Sequence, residues 1–558
     1  MNAPDTARVQ FSAWRARTAV NAFDADSHLI ELLSAYEENA SAERLRAFGA
    51  RVATDLDALA VETNRDENLP RLARYDGRGN RVEGVQFHPG YHDIGRAIYK
   101  TGLMGLYATP GREFETLALA YLAGQNGEAG HCCPLACTAG MIKILQASGG
   151  ADDLLARLYD PDYDTHFHAS QFLTEVQGGS DVGANALVAT DVGAAGSQGG
   201  MRWRLAGEKW FCSVIDAHVF LVTARPEGSA AGTGGVRAFV VPRTLPDGRT
   251  NDFAIRRLKA KLGTKSMASA EVDFQGAWAR PVGDFRRTVE VVLNTSRLYN
   301  AVIGSGFMQR AWREADAYAR ERTAFGAPIL DFPVIARIVA RLKTEACAAR
   351  TVSFRLAHLS DRMALGAAGD GEWAAFRMLV NLNKIWTALT TPAAMREAIE
   401  VFGGNGAIEE FSVLPRLLRD SLVMEAWEGG HGVLSAQILK DSRKGLHRAM
   451  FEWLAGIGGD DGASGERGRA ILDARARIAA VATRWESLLS RADADVHMRD
   501  IIEELRVPVQ ALSLAAEGGA LGLLAATHLL AVTTRLYDAL ADVGLMARVN
   551  VLNGGAAR

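Results

Sequence analysis

The sequence predicts an α+β multidomain protein, and three observations predict it. The 558 residues exceed one ordinary domain and suit about two to four. Stretches with apolar residues at helical spacing occupy both ends of the chain. Between them lie short alternating segments rich in Val, Phe and Trp, separated by connectors rich in Gly, Ser, Pro and Asp.

Residues 1–167 read as a helical domain, from LIELLSAYEE, AERLRAFGARVATDLDAL and FETLALAYLAGQ. Inside it, DENLPRLARYDGRGNRVEGVQFHPGYHDIG reads as an irregular loop. Residues 168–283 read as an antiparallel β-domain, carried by MRWRLAGEKWF, HVFLVTAR, VRAFVVPR and AEVDFQGA. Helical patterns return over 284–440, as in FPVIARIVARLKTEACAARTVSFRLAHL. The glycine-rich break LAGIGGDDGASGERG then leads into a further helical domain within 441–558. Its most apolar run, GGALGLLAATHLLAVTT, contains His528 and is flanked by Glu517 and Arg535, so a buried helix is expected rather than a membrane span.

A net charge of −3 gives no global attraction to nucleic acid or to a membrane surface. The five cysteines, Cys132, Cys133, Cys137, Cys212 and Cys347, are odd in number and clustered, which suits reduced thiols in the cytoplasm. CCPLAC has no distant Cys/His pair at zinc spacing, so no metal is expected. MNAPDTARVQF lacks the basic-then-apolar pattern of a signal peptide.

Chemistry concentrates at the joins. QFLTEVQGGSDVGAN (171–185) holds a Gly-Gly-Ser turn whose N–H groups, with the Ser180 hydroxyl, suit a pyrophosphate; Thr174 lies across the turn within reach of a polar ring edge. A hairpin turn with ordinary caps has the same composition. GEKWFCSV (207–214) puts Trp210 before small polar residues at a hairpin turn, where it can pack a flat ligand or serve as a core tryptophan. RLKAKLGTKSMASAEVDF reads as a basic loop running into an edge strand. In RERTAFGAPILDFPVI, Arg322 can pair with a phosphate and Phe325 can stack, while Gly326 and Pro328 end the helix. In IEVFGGNG, Gly403 and Gly404 admit a ligand closely or cap a helix. SLVMEAWEGGHGV (421–433) carries Glu425 and Glu428, which would share roughly one face of a helix.

In this order, LTExxGGSD, KWFxSV, KLGTKS, RxxFGxPI, FGGNG and RDxxxxxxWEG, the stretches resemble the acyl-CoA dehydrogenase superfamily over about residues 170–440. LPRLARYDGRGNRVEGVQFHPGYH and EAGHCCP resemble its AidB-type branch, whose members carry an extra helical C-terminal domain. The resemblance implies an N-terminal helical domain, a central antiparallel β-barrel, a C-terminal four-helix bundle and the extra helices. It implies FAD, extended between the β-domain and the bundle, in a homotetramer whose neighbouring subunits complete the site.

Carried over by position, Phe172, Leu173, Thr174, Gly179 and Ser180 would bind the cofactor, with Thr174 at the flavin ring and Ser180 at the pyrophosphate. Trp210, Phe211, Cys212 and Ser213 would lie against the isoalloxazine. Arg322, Phe325, Glu400, Gly403 and Gly404 would hold the nucleotide end from another subunit, although Glu400 stands where relatives often have glutamine. Trp427 and Gly429 would complete the set.

AWEGG aligns with the family's catalytic turn, so Glu428 is the implied base and Glu425 falls at the preceding helix end. Desaturation of an acyl-CoA thioester removes a weakly acidic α-proton while a hydride leaves the β-carbon for flavin N5. A carboxylate in a water-poor slot has a raised pKa and suits that proton. Some relatives place the base just before the arginine of the bundle's first helix, where this chain has Ser296. Gly430, His431-Gly432-Val433 and Cys212 depart from the family pattern. An electron-transfer flavoprotein or similar acceptor is the implied partner.

Two alternatives remain. One is an AidB-like role in nucleic-acid protection with weak dehydrogenase activity, for which a basic tail would be expected. Residues 441–558 hold 14 basic and 15 acidic residues, so DNA is disfavoured as a partner. The other is nitroalkane oxidation, a class that uses aspartate as base, which Glu428 argues against.

Overall fold

The computed structural model of the protein describes residues 3–459, 465–532 and 548. Parts of the glycine-rich break and of the extra C-terminal domain expected from the sequence lie outside the described residues. In chain order the elements are α1 (Ala3–Thr18), α2 (Ser27–Ala35), α3 (Ala42–Val52), α4 (Asp55–Thr63), β1 (Arg71–Tyr75), β2 (Arg81–Gln86), α5 (Pro89–Tyr99), α6 (Glu113–Gln125), α7 (Cys132–Ser148), α8 (Asp152–Tyr159), β3 (Ala169–Phe172), β4 (Val188–Asp191), β5 (Trp203–Ser213), β6 (Val219–Pro226), β7 (Arg237–Pro242), β8 (Phe253–Leu258) and β9 (Ser269–Pro281). They continue as α9 (Phe285–Glu321), β10 (Thr323–Ala324), β11 (Ala327–Pro328), α10 (Pro333–Ala364), α11 (Asp370–Phe402), α12 (Leu414–Ala426), α13 (His431–Ser442), α14 (Leu446–Gly456), α15 (Gly465–Leu489), α16 (Ala494–Glu517) and α17 (Gly519–Val532). No helix among the described residues is long and apolar enough to cross a membrane.

The chain forms two compact units from separated segments. One comprises Leu59–Ala108 and Ala129–Ser296; the other comprises Met1–Ala58, Thr109–Glu128 and Arg297–Arg558.

The first unit holds the sheet. β6 pairs β4, β4 pairs β5, β5 pairs β9, β9 pairs β7, and β7 returns to β6, so five strands close a ring; β3 adds to β6 and β8 to β9. This is the expected barrel, with one difference: β3–β6 and β4–β6 are parallel. Both reach β6 through connections longer than a hairpin, which parallel pairing requires.

The stretch read as loop contains the β1–β2 hairpin and the start of α5. Asp76 builds the hairpin turn by accepting from the N–H groups of Arg78 and Asn80, each at 2.8 Å, and Gly79 takes a left-handed φ of 82°. Short strands of five and six residues, interrupted by charged side chains, hide their pattern beside that turn.

This unit also buries histidines. Burial lowers the pKa of His92 and His168, and takes His131 and His166 down to about 4. Unfolded histidines take up protons near pH 6.5. Between about pH 6.5 and 4 the unfolded chain therefore binds more protons than the folded unit, and stability falls with pH by on the order of 3 kcal/mol each for His131 and His166. Thermal melts from pH 7 to pH 4.5 should show a progressive fall, and His166→Asn should flatten part of it. Equal slopes for the two proteins would remove His166 from the cause.

The second unit is helical. α10 packs on α11, α16 and α17, α11 on α12 and α14, and α15 on α16. Pro333 opens α10, where its missing N–H costs nothing. At its centre Asp26 caps α2, accepting from the Leu29 N–H at 3.2 Å. The same carboxylate accepts the Tyr121 hydroxyl at 2.5 Å and pairs with Arg350, and both members of that ion pair are fully buried.

Candidate active site

β3 ends at Phe172, which is fully buried and packs its ring 4.8 Å from that of Phe220. The chain then turns through the Gly-Gly-Ser segment, and Glu175, in a bridge with Gly178, returns inward. Glu175 forms a buried 2.7 Å ion pair with Lys209 of β5 and accepts from the N–H groups of Ala186 and Leu187 at 2.6 and 3.2 Å. Lys209 also donates to the Leu173 carbonyl at 3.3 Å and to Thr223 at 3.1 Å. Burial disfavours the charged carboxylate, but Lys209 outweighs it and holds the Glu175 pKa below the ordinary value. This pair ties the turn to the barrel.

Trp210 and Phe211 stand on β5 rather than at a hairpin turn. The β5–β9 register shifts between Lys209 and Cys212, so both residues sit in a bulge. Freed from the ladder, the Trp210 N–H donates to the Thr174 carbonyl at 2.9 Å. The Lys259 ammonium lies 3.6 Å from the Trp210 ring centroid and 4.7 Å from that of Phe211, which is 52% exposed. Cys212 is buried, with its thiol pKa raised by burial, and Ser213 shares a 3.0 Å hydroxyl contact with Ser269. Gly179 packs on Thr174: a Cβ there would fall 2.4 Å from the threonine Oγ1. Ser180 is exposed. The structure thus brings Leu173, Thr174, Gly179 and Trp210–Ser213 to one place.

In the helical unit, Arg322 follows the last residue of α9, its guanidinium 6.0 Å from the Phe11 ring centroid. Phe325 occupies the β10–β11 turn with φ of 52° and 99% exposure. Glu400 is exposed on the last turn of α11, and Gly403 caps that helix with φ of 61°. Beside Gly403 and Gly404 a Cβ would meet nothing. Tyr318 stacks on Phe402 at 4.1 Å and accepts from Asn405 at 3.2 Å, which joins the ends of α9 and α11. One exposed aromatic ring, open glycine backbone and an arginine suit a flat ring system with an anionic tether.

Glu425 and Glu428 do not share a helical face. α12 ends at Ala426 and Trp427 is its half-buried C-cap, so Glu425 lies in the last turn and Glu428 beyond it. Glu428 has φ of 57°, a left-handed conformation costly for a residue with a side chain, and Gly429 follows at 97°. Three side chains hold that turn by its carbonyls. Asn300 donates to Met424 at 3.1 Å, Lys384 to Glu425 and Gly429 at 2.9 and 3.0 Å, and Arg297 to Glu428 at 3.0 Å. Arg297 is oriented in turn by Asn381 at 2.7 Å.

Burial raises the Glu428 pKa, while Arg297 and Lys384 pull it back. Burial brings Lys384 down to about 8 and Arg297 to about 10, with Glu428 opposing both shifts. His431, absent from the family pattern, meets Glu425 at 3.2 Å. The Ser296 hydroxyl is buried with no hydrogen-bond partner among the described residues, hence with no base to activate it. Glu175 and Lys209 stand inside quoted motifs, but nothing local shows that they pair; Asn300, Arg297 and Lys384 lie outside the motifs and act on partners 41 to 131 positions away.

The chain matches the family models for the acyl-CoA dehydrogenase middle domain over residues 170–277, the acyl-CoA dehydrogenase C-terminal domain over 285–442, and the AidB N-terminal domain over 14–165. It is 30% identical to AidB of Escherichia coli over 471 residues, covering 79% of this chain and 82% of that protein. Among solved structures it resembles Caenorhabditis elegans ACDH-11 in complex with C11-CoA (TM-score 0.80, 24% identity, 91% of each chain). It also resembles an acyl-CoA dehydrogenase from Bacillus anthracis complexed with FAD (TM-score 0.64, 16% identity, 94% of this chain and 88% of that one). The chain belongs to the acyl-CoA dehydrogenase superfamily. Within it, the N-terminal match and the E. coli relative mark the AidB-type branch.

Proposed function

We propose that the protein is an FAD-dependent acyl-CoA dehydrogenase in which Glu428 removes the α-proton of an acyl-CoA thioester. The cofactor is FAD, and when bound it accepts the hydride from the β-carbon. The observation that carries the reading is Glu428 itself: a half-buried carboxylate in a left-handed turn whose flanking carbonyls are pinned by Asn300, Lys384 and Arg297. A raised pKa makes it a better proton acceptor than a solvated carboxylate, and the pinned backbone fixes its position. Leu173, Thr174 and Trp210–Ser213 would orient the flavin ring; Arg322, Phe325, Gly403 and Gly404 would hold the nucleotide end. The C11-CoA complex of the nematode relative and the FAD complex of the Bacillus relative support this ligand pair. An electron-transfer flavoprotein is the acceptor in this reading, and a homotetramer the assembly.

The purified protein should be yellow with an oxidised-flavin spectrum. Stopped-flow bleaching across straight-chain and branched acyl-CoA thioesters should find at least one that reduces it. A protein that takes up no FAD on titration, or that no thioester reduces, would overturn the proposal.

A further inference from the structure

None of the flavin-motif residues lines a half-open pocket of about 360 Å³ in the barrel unit, at the ends of β6, β7 and β9. Its wall is largely apolar, including Phe167, Met201, Val240 and Leu245. Two polar side chains of consequence join them, Arg280 and His218, and the lining holds no carboxylate.

The two have donors to offer. Arg280 makes no ion pair or side-chain hydrogen bond among the described residues, although it is only half-exposed. The His218 Nδ1 accepts the His168 backbone N–H at 3.2 Å, so a neutral ring must carry its proton on Nε2. The accepted hydrogen bond requires the neutral ring, which is solvent-exposed on one side and stacks on Phe167 at 4.5 Å. The Arg157 guanidinium lies 5.6 Å from the same phenylalanine ring and adds to the positive field.

An apolar cavity with two donors, a cation and no acid suits an aliphatic chain ending in an anion. Phosphate esters and sulfates share that charge, but a single guanidinium beside one N–H matches the two oxygens of a carboxylate. The volume lies at the low end of pockets that hold small organic ligands, which suits a medium rather than a long chain. We infer that this pocket is a second ligand site, distinct from the flavin motifs, for a medium-chain monocarboxylate whose head group meets Arg280 and His218.

Isothermal titration of the flavin-loaded protein with hexanoate, octanoate and decanoate tests it. Binding should saturate and tighten about fourfold per added methylene. Decanol, which keeps the chain and loses the charge, should bind at least tenfold more weakly than decanoate. Arg280→Gln should weaken decanoate at least tenfold. Thr244→Trp, at an exposed position on the pocket wall, should abolish binding while leaving the flavin spectrum unchanged. Decanoate binding equally to wild type and both variants would locate it elsewhere and overturn the inference. So would absence of saturable binding, or binding of wild type only after its oligomer is dissociated, which would mean that a second copy covers the pocket.

Discussion

Glu428→Gln should retain FAD and lose at least about 100-fold in the rate of flavin reduction by a good acyl-CoA. The amide keeps the size and shape of the side chain but cannot accept a proton. The main-chain hold on the turn uses the Glu428 carbonyl, which the substitution leaves in place. In the wild type the rate should rise with pH as the carboxyl ionises, and burial displaces that limb above the ordinary carboxylate range. In the variant the limb should vanish. Glu425→Gln should change the rate far less, because Glu425 meets His431 at the helix end. Single-turnover bleaching of both variants with one thioester decides the matter. Loss of reduction in Glu425→Gln with reduction kept in Glu428→Gln would reassign the base.

Glu175→Ala should destabilise the barrel unit by about 3–5 kcal/mol, the usual consequence of stranding one member of a buried ion pair. Lys209 is fully buried and its ammonium would keep only neutral partners, the Leu173 carbonyl and the Thr223 hydroxyl. The N–H groups of Ala186 and Leu187 would lose their acceptor as well. Because the turn bearing Thr174 is tied through this pair, FAD should also dissociate more readily. The double variant Glu175→Ala/Lys209→Met should recover most of the stability, since no charge is left stranded. Chemical denaturation of the wild type and the two variants measures the stability cost and its recovery. A cost below about 1 kcal/mol for the single change would mean that water reaches Lys209.

The large divisions of the fold were legible because they rest on local periodicity. Short runs rich in Val and Phe mark β6 and β7, and helical spacing marks α10 over thirty-two residues. Two readings failed where a local rule was interrupted. Trp210 and Phe211 resemble a turn because a bulge breaks the alternation of β5, and a register shift against β9 leaves no local trace. The β1–β2 hairpin reads as loop because its strands are short and charged. At the proposed site, Glu428 carries a motif signal and the residues that hold its turn carry none. Arg297 acts across 131 positions and Lys384 across 45, and no spacing rule reaches that far.

The interleaved segments of the two units bear on how the chain comes to be folded at all. Asp26 emerges 324 positions before Arg350, which at about 5–20 residues per second means roughly 15–65 s of synthesis before its buried counter-ion exists. During that interval Tyr121 and α6 become available to Asp26 and α3, but α10, α16 and α17, against which α2 packs, do not yet exist. The barrel segments, complete by Pro281, can assemble while the first fifty-eight residues still wait. The amino-terminal helices should therefore keep apolar surface open to holdase chaperones until the later helices are made.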